Sequence, residues 1–392
     1  MFDPGRAFDV QVMVGIGAYL RHANRHTPVV VAHGHRLVDF RSSNADGIIA
    51  NLDDPWVADA VVASGVKAVG FGTGAAALHE SWGIPYLHTN NDLIAIQAAE
   101  HLLERGFDRL AYCGCSPRSD SSCSAERERA FVDHARRHGR AIDVFHTRPS
   151  AAGPSSGLQS MLCTWLRGLP RPVGIMAAHD WLGREVVEAC RISGIGVPTD
   201  AAVIGVGNEE LVCQLGVPLS SIDLGANQIG YAAATLLDKL IDGKPVARVG
   251  VAFSPIGVVP RVSTDVIAIA DASVAKAMTF IREHADGPLR VSDVVRAVGI
   301  SPTALEVRFR ANLRHTVRDA IQRAHLDRAR QLIGTTGLPL KQVAIDSGYK
   351  TVQHMTICFT RAYGLSPGRF RKVGAQGLQA QGSSGGPEGS PL

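Results

Sequence analysis

No uncharged apolar run in this chain of 392 residues reaches the roughly 18 needed to cross a bilayer. The opening Met1-Phe2-Asp3-Pro4-Gly5-Arg6 has no apolar stretch behind a basic start, so no export signal is expected. Framework spacing is missing among the seven cysteines, Cys113, Cys115, Cys123, Cys163, Cys190, Cys213 and Cys358. In a chain without an export signal they read as reduced thiols, and Cys113 as part of a core strand. Cys113-Gly114-Cys115 followed by Cys123 lacks the paired CxxC of a zinc site, so no metal is expected. A P-loop and a Ser/His/Asp order are also missing. The pairs Asp53-Asp54 and Glu209-Glu210 are mere sequence neighbours, which fixes no catalytic geometry. Gly70-Phe71-Gly72-Thr73-Gly74 is spaced GxGxG, with no acidic strand end some 20 residues on, which argues against a dinucleotide. A cytoplasmic non-enzyme without cofactor is the expectation.

What is present suits a folded chain of two or three domains. Hydrophobic residues make up 45%, charged residues 19%, and mean hydropathy is +0.07, enough for sizeable cores. The net charge of +4 is unevenly spread. Residues 271–373 hold 17 basic against 8 acidic side chains, while residues 1–270 hold 23 against 27. Such a split directs one part of the chain to a polyanion.

Over residues 1–260, β-branched runs alternate with helical stretches. Strands are predicted at Val29–Ala32, Gly47–Ala50, Lys67–Phe71, Arg109–Cys113, Gly174–Ala177 and Ala202–Val206. Between them, Asn91 to Arg105 puts Leu93, Ile94, Ile96, Ala99, Leu102 and Leu103 on one stripe, capped by Asn90 or Asn91 and stopped by Gly106. Gly83-Ile84-Pro85-Tyr86 and Gly196-Val197-Pro198-Thr199 each introduce a strand, a weak internal symmetry that predicts two α/β lobes with a ligand crevice between them. Beyond residue 272 the strand signals vanish. Domains are drawn at 1–262 (two-lobed sensor), 263–272 (linker), 273–373 (all-helical reader) and 374–392 (Gly/Ser-rich disordered tail).

Two helical segments share one grammar. Val291 to Gly299, then Ile300-Ser301 and Pro302 to Arg310, is matched by Leu340 to Gly348, then Tyr349-Lys350 and Thr351 to Arg361. A helix stops at glycine, an apolar residue follows, and a second helix starts: a helix-turn-helix, twice. A helix from about Val317 to Leu332 would hold the two reading helices about one turn of DNA apart, ~34 Å. The blander reading is a helical bundle with surplus surface arginine.

With its closing Phe359-Thr360-Arg361-Ala362-Tyr363-Gly364-Leu365-Ser366-Pro367-Gly368-Arg369-Phe370-Arg371, the segment 273–373 resembles an AraC-type DNA-binding domain. The strings Asp9 to Leu20, Ala125 to Phe131 and Val203 to Leu211 resemble periplasmic-binding-protein-like sensors of the lactose-repressor type. Together they resemble the xylose operon regulators. The resemblance implies a two-lobed α/β domain followed by an all-α domain with two helix-turn-helix motifs. It also implies promoter DNA and a small sugar such as xylose as ligands, a homodimer, and an activator that touches RNA polymerase. The alternatives are a different sugar effector, a sugar-binding protein without regulation, or a sugar-modifying enzyme.

The chain departs from that family in three places. A strand usually precedes the segment equivalent to Arg6–Asp9, which predicts about ten further residues encoded upstream. The usual Phe-Lys of the second reader is Phe359-Thr360, and Met355 replaces an aromatic. The family's sugar-holding aspartate falls on Gly207, which predicts weak xylose binding that Gly207→Asp would strengthen.

Candidate DNA contacts are Thr303, Glu306, Arg308 and Arg310 in the first reading helix. In and after the second they are Lys350, Thr351, Gln353, His354, Thr356, Arg361 and Arg371. Glutamine suits adenine and arginine suits guanine or phosphate. In the sensor, Asn90, Asn91, His179, Asp180, Gly207, Asn208 and Glu209 fall where strands end. Arg127 adds a fork of donors, and Phe8 and Trp181 an apolar wall, a set suited to a neutral polyol. The same asparagines and Asp180 could instead be helix caps, and Trp181 core.

Overall fold

The computed structural model describes residues 1–23, 28, 45–74, 82–116, 122–147, 157–246, 250–266, 268–269, 271–313, 315–363 and 366–371. The strand expected at Val29–Ala32 and the tail expected at 374–392 lie outside them.

Two sheets organise the first 260 residues. One joins β1 (Ile48–Asn51), β2 (Ala68–Gly72), β3 (Tyr86–Thr89) and β9 (Gly250–Phe253), all parallel, in the order β1-β2-β3-β9. The other joins β4 (Arg109–Gly114), β5 (Ala141–His146), β6 (Val173–Ala177), β7 (Ala201–Val206), β8 (Ser220–Asp223) and β10 (Gly257–Val259), in the order β10-β8-β7-β6-β4-β5. Only β10 runs antiparallel. Strands β2, β6 and β7 are buried along their whole length, which is why they read as unbroken apolar runs. Helices α1 (Ala7–Ala23), α2 (Pro55–Ser64), α3 (Asn91–Glu104), α4 (Ser122–Arg137), α5 (Leu158–Gly168), α6 (Asp180–Ile192), α7 (Glu210–Gln214) and α8 (Ala226–Ile241) complete two lobes.

The chain changes lobe after β3, after β8 and between β9 and β10. At the first crossing Asn90 caps α3 by accepting from the Leu93 N–H at 3.0 Å, and Gly106, at φ 85°, ends the turn beyond it. Ile94, Ala95, Ala98, Ala99 and Leu102 are fully buried against the second sheet. Burying Ile94 and Leu102 alone contributes about 1.5–3 kcal/mol each. Leu93, placed on that stripe by its spacing, instead faces out. At the second crossing α8 returns Ile229 and Ala233 to the first lobe, against Val69, Phe71 and Leu87. Met1 lies along β1, its ammonium donating to the Ile49 carbonyl at 2.5 Å and its carbonyl accepting from the Asn51 N–H at 3.2 Å.

The reader is formed by α9 (Ala272–Glu283), α10 (Val291–Val298), α11 (Pro302–Leu313), α12 (Val317–Thr335), α13 (Leu340–Asp346) and α14 (Val352–Tyr363). Gly299 (φ 85°) and Gly348 (φ 75°) make the left-handed turns that the doubled pattern demands. Helix α12 is shared between two cores. Its Ile321 packs with Val294, Leu305 and Phe309 of the first unit. Its Leu326, Ala329, Leu332 and Ile333 pack with Val343, Met355 and Phe359 of the second.

The sequence boundary at 262/263 needs correction. Ser263 and Thr264 are fully buried in the sensor, because the Ser263 hydroxyl donates to the Val203 carbonyl at 2.6 Å and accepts from the Ser220 N–H at 2.8 Å. The connection therefore begins after Thr264, and Ala272 already opens α9. It is not a free tether: Ala268 N–H donates to the Arg105 carbonyl at 2.7 Å, and Ile269 enters the first reader core. Helix α12 also docks on the second lobe. Arg323 pairs with Glu104, the buried Arg330 donates to the Val258 carbonyl, and Ile256 packs against the second reader core.

Candidate ligand cleft and reader helices

The strand ends of the two lobes meet at a candidate cleft, bridged by the hydrogen bond from Asn91 to the Thr73 carbonyl. From the first lobe, Asp53 follows β1. Its Oδ1 accepts from the Thr73 and Gly74 N–H groups at 3.0 and 3.1 Å and from Tyr86 Oη at 3.1 Å. Its Oδ2 accepts from the Thr73 hydroxyl at 2.8 Å and from Arg6 Nη2 at 3.3 Å. The glycine-rich turn thus cradles an internal carboxylate where a phosphate loop would hold its anion. At Gly72 a Cβ would overlap Asp53 and Tyr86, so the motif's glycine makes room for this cluster.

From the second lobe come Asn91 and Arg127, both buried. Asn91 Nδ2 donates to the Thr73 carbonyl at 2.7 Å and to Glu126 Oε2 at 2.6 Å. Its Oδ1 accepts from Arg127 Nε at 2.9 Å, and Arg127 Nη1 donates to the Ala178 carbonyl at 2.6 Å. One amide therefore ties the first lobe to α4. Phe8, at the start of α1, touches the cores of both lobes and lies 6.3 Å from the Phe71 ring.

The other sensor positions have structural duties. Asn90 is the α3 cap already described. His179 caps α6, its Nδ1 accepting from the Leu182 N–H at 3.2 Å, while Nε2 lies 3.7 Å from Cys115 Sγ. Although His179 is exposed at one edge, desolvation by the groups packed around its ring lowers its pKa to about 4, with Arg127 adding to the effect. Asp180 accepts from the Ser221 hydroxyl at 2.6 Å and the Glu209 N–H at 2.8 Å, and burial raises its pKa. Trp181 is 54% exposed and meets the Glu209 carboxylate, so it is neither core nor enclosed wall. Strand β7 stops at Val206. Gly207 follows at φ 128°, where a Cβ would sit 3.1 Å from Asp180 Oδ2. Asn208 is held by its own lobe, its Oδ1 accepting from Arg261 Nη2 at 2.7 Å and its Nδ2 donating to Asp223 at 3.3 Å.

Asp53, Arg6, Thr73 and Glu126 were not singled out from the sequence. The available signal was Asp53 just past a strand, facing a second strand that ends in Gly72-Thr73-Gly74.

In the reader, Thr303, Arg310, Lys350, Thr351, Gln353, His354 and Arg361 are exposed, and Thr356 is half-buried. Glu306 bridges Arg310 Nε at 3.0 Å and the Val317 N–H at 3.3 Å, anchoring the start of α12. Arg308 turns to α9, its Nη1 donating to Asp271 Oδ2 and to the Ser273 hydroxyl, both at 3.3 Å. Thr351 caps α14, accepting from the His354 N–H at 3.2 Å, and the His354 ring meets Tyr349 edge-on at 5.5 Å. Arg371 is half-buried, and its Nε and Nη2 are enclosed without a hydrogen-bond partner among the described residues. Two exposed aliphatics in these helices, Val307 and Ile357, escaped the sequence reading.

Comparison with known proteins covers nearly the whole chain. Residues 1–92 match the XylR N-terminal domain, residues 99–264 a periplasmic binding protein-like domain, and residues 294–373 a helix-turn-helix domain. The xylose operon regulatory protein of Escherichia coli K12 is 33% identical over 380 residues, spanning 96% of this chain and 97% of that protein. Its namesake in Haemophilus influenzae is 30% identical over 374 residues, spanning 95% and 97%. A solved structure of the xylose-binding transcription activator xylR superposes with a TM-score of 0.63 at 33% identity, covering 95% of this chain and 97% of that one.

Proposed function

Because this chain belongs to the family of xylose operon regulatory proteins, DNA-binding transcription regulators with a sugar-binding domain, we propose that the cleft described above receives a small neutral sugar. The observation that carries this reading is the Asn91–Arg127 pair, buried where Asn91 also bonds the Thr73 carbonyl of the other lobe. The arginine fork offers donors to adjacent hydroxyls, Glu126 and Asp53 offer acceptors, and Phe8 covers an apolar sugar face. Within the first lobe Arg6 already neutralises Asp53, which favours an uncharged ligand over a sugar acid.

Sugar would hold the lobes closed, and α12, docked on the second lobe through Arg323 and Arg330, would carry that preference to the reader as a population shift. We further propose a cytoplasmic homodimer that activates transcription in contact with RNA polymerase. Support for the dimer comes from exposed aliphatics of the second lobe, Leu211 at 82% and Leu215 at 56%.

Calorimetric titration of the full chain with xylose, other pentoses, hexoses and sugar acids tests the ligand class. Binding of a neutral sugar that is lost in Arg127→Ala is the expected result. Tight binding of a sugar acid alone would overturn it. Sedimentation of Leu211→Glu tests the dimer.

A further inference from the structure

The two reader units align with an offset of 50 residues: Leu305 with Met355 and Phe309 with Phe359, all four fully buried. These pairs form the inward stripe of α11 and α14. On the opposite side the same offset pairs Val307, 63% exposed, with Ile357, 59% exposed. Each stands one turn after a polar residue, Thr303 or Gln353, and just before Arg310 or Thr360 on the same outward stripe.

An outward β-branched aliphatic is a poor choice for a solvated helix. It loses rotamer freedom in the helix, and its apolar surface is not buried by the chain itself. Among the described residues, neither the reader cores nor the docked sensor covers Val307 or Ile357. The coincidence occurs twice, at one equivalent position, in a domain with a surplus of nine positive charges.

A valine or isoleucine can neither donate nor accept a hydrogen bond. In the major groove the one apolar group on a base edge is the C5 methyl of thymine. We propose that each reading helix recognises a thymine through methyl contact, by Val307 in the first unit and by Ile357 in the second. Gln353, one turn earlier, reaches the neighbouring base pair, where an adenine would satisfy its amide in a bidentate way. With α12 holding the units, the two thymines fall about one helical turn apart, ~10 base pairs. This inference rests on the reader being a DNA-binding domain.

The test uses the full chain and duplexes selected by it from a random pool. Each thymine of the selected site is then replaced singly by uracil, which removes only the methyl group. Two replacements about a turn apart should each weaken binding about fourfold, the worth of one buried methyl. Val307→Ala should erase the uracil effect at one position and leave the other intact, and Ile357→Ala should do the reverse. Both residues are exposed, so neither change threatens the fold. Selected duplexes that bind equally well with uracil throughout would overturn the thymine reading while leaving DNA binding intact. Retention of both uracil effects in the double variant would also overturn it, since the methyl contacts would then belong to other residues. Failure to bind any duplex at low salt would instead remove the reading on which the inference rests.

Discussion

Arg127 and Asn91 share a hydrogen bond of 2.9 Å that joins a helix of the second lobe to the strand–helix junction where the chain first changes lobe. The same asparagine donates to the Thr73 carbonyl of the first lobe at 2.7 Å. The arginine proposed to meet the sugar and the residue that opens the first interlobe crossing are therefore one unit.

Arg127→Lys is expected to separate these roles incompletely. A lysine cannot reach Asn91 Oδ1 and the Ala178 carbonyl in one geometry, so a buried acceptor loses its partner. We expect sugar affinity to fall at least tenfold, and unfolding free energy by about 1–3 kcal/mol. Titration calorimetry and urea denaturation measure the two effects. Unchanged affinity would remove Arg127 from the site.

Gly207→Asp is expected to damage the sensor, contrary to the gain in pentose affinity anticipated from the sequence. At φ 128° a side chain strains the backbone by about 1–3 kcal/mol. Its Cβ also lies 3.1 Å from Asp180 Oδ2. Asp180 already has a pKa raised by burial, and a second carboxylate raises it further. Acids with raised folded pKa values destabilise above their unfolded values, so the penalty should be full at pH 7 and shrink toward pH 4. Thermal melting at pH 7 and pH 5 measures this, and tighter pentose binding by the variant would refute it.

Acid sensitivity should trace in part to His179. Its folded pKa of about 4 lies below the ordinary 6.5, so its neutral form is favoured by folding. Stability is then present above pH 6.5 and lost as pH falls toward 4, and because His179 is exposed to solvent the loss is a screened, small part of the total. His179→Asn keeps a helix cap and removes the titrating ring. Denaturation curves between pH 7 and 4.5 should be flatter for the variant, and an identical slope would assign the loss elsewhere.

Arg330→Ala should uncouple the sensor from the reader. The arginine donates to the Val258 carbonyl and opposes the desolvation that raises the Asp327 pKa. Without it, Asp327, exposed beside the junction, loses the cation that acts on it most strongly. The ratio of DNA affinities with and without sugar should move toward one, while each domain still binds its own ligand. An unchanged ratio would place the coupling elsewhere.

Features set by neighbouring residues could be read directly. Asn90 as cap and Gly106 as stop delimit α3 because both act within a turn of the helix end. Gly299 and Gly348 mark the two reader turns because only a left-handed residue fits between the paired helices. Asp53 was invisible as a site residue because its partners Thr73, Gly74 and Tyr86 come from two other strands. Asn208 read as a cleft residue because it follows β7; that Arg261, far along the chain, occupies its carbonyl oxygen could not be read locally.

The sequence by itself determined the order of α/β units, the basic helical reader and its doubled turn, since periodicity, charge and glycine act locally. Only the tertiary structure decided which polar groups share the cleft and which way Val307 and Ile357 point. Burial depends on what packs against a residue from elsewhere in the chain, and an apolar residue spells the same letter whether it faces a core or a groove.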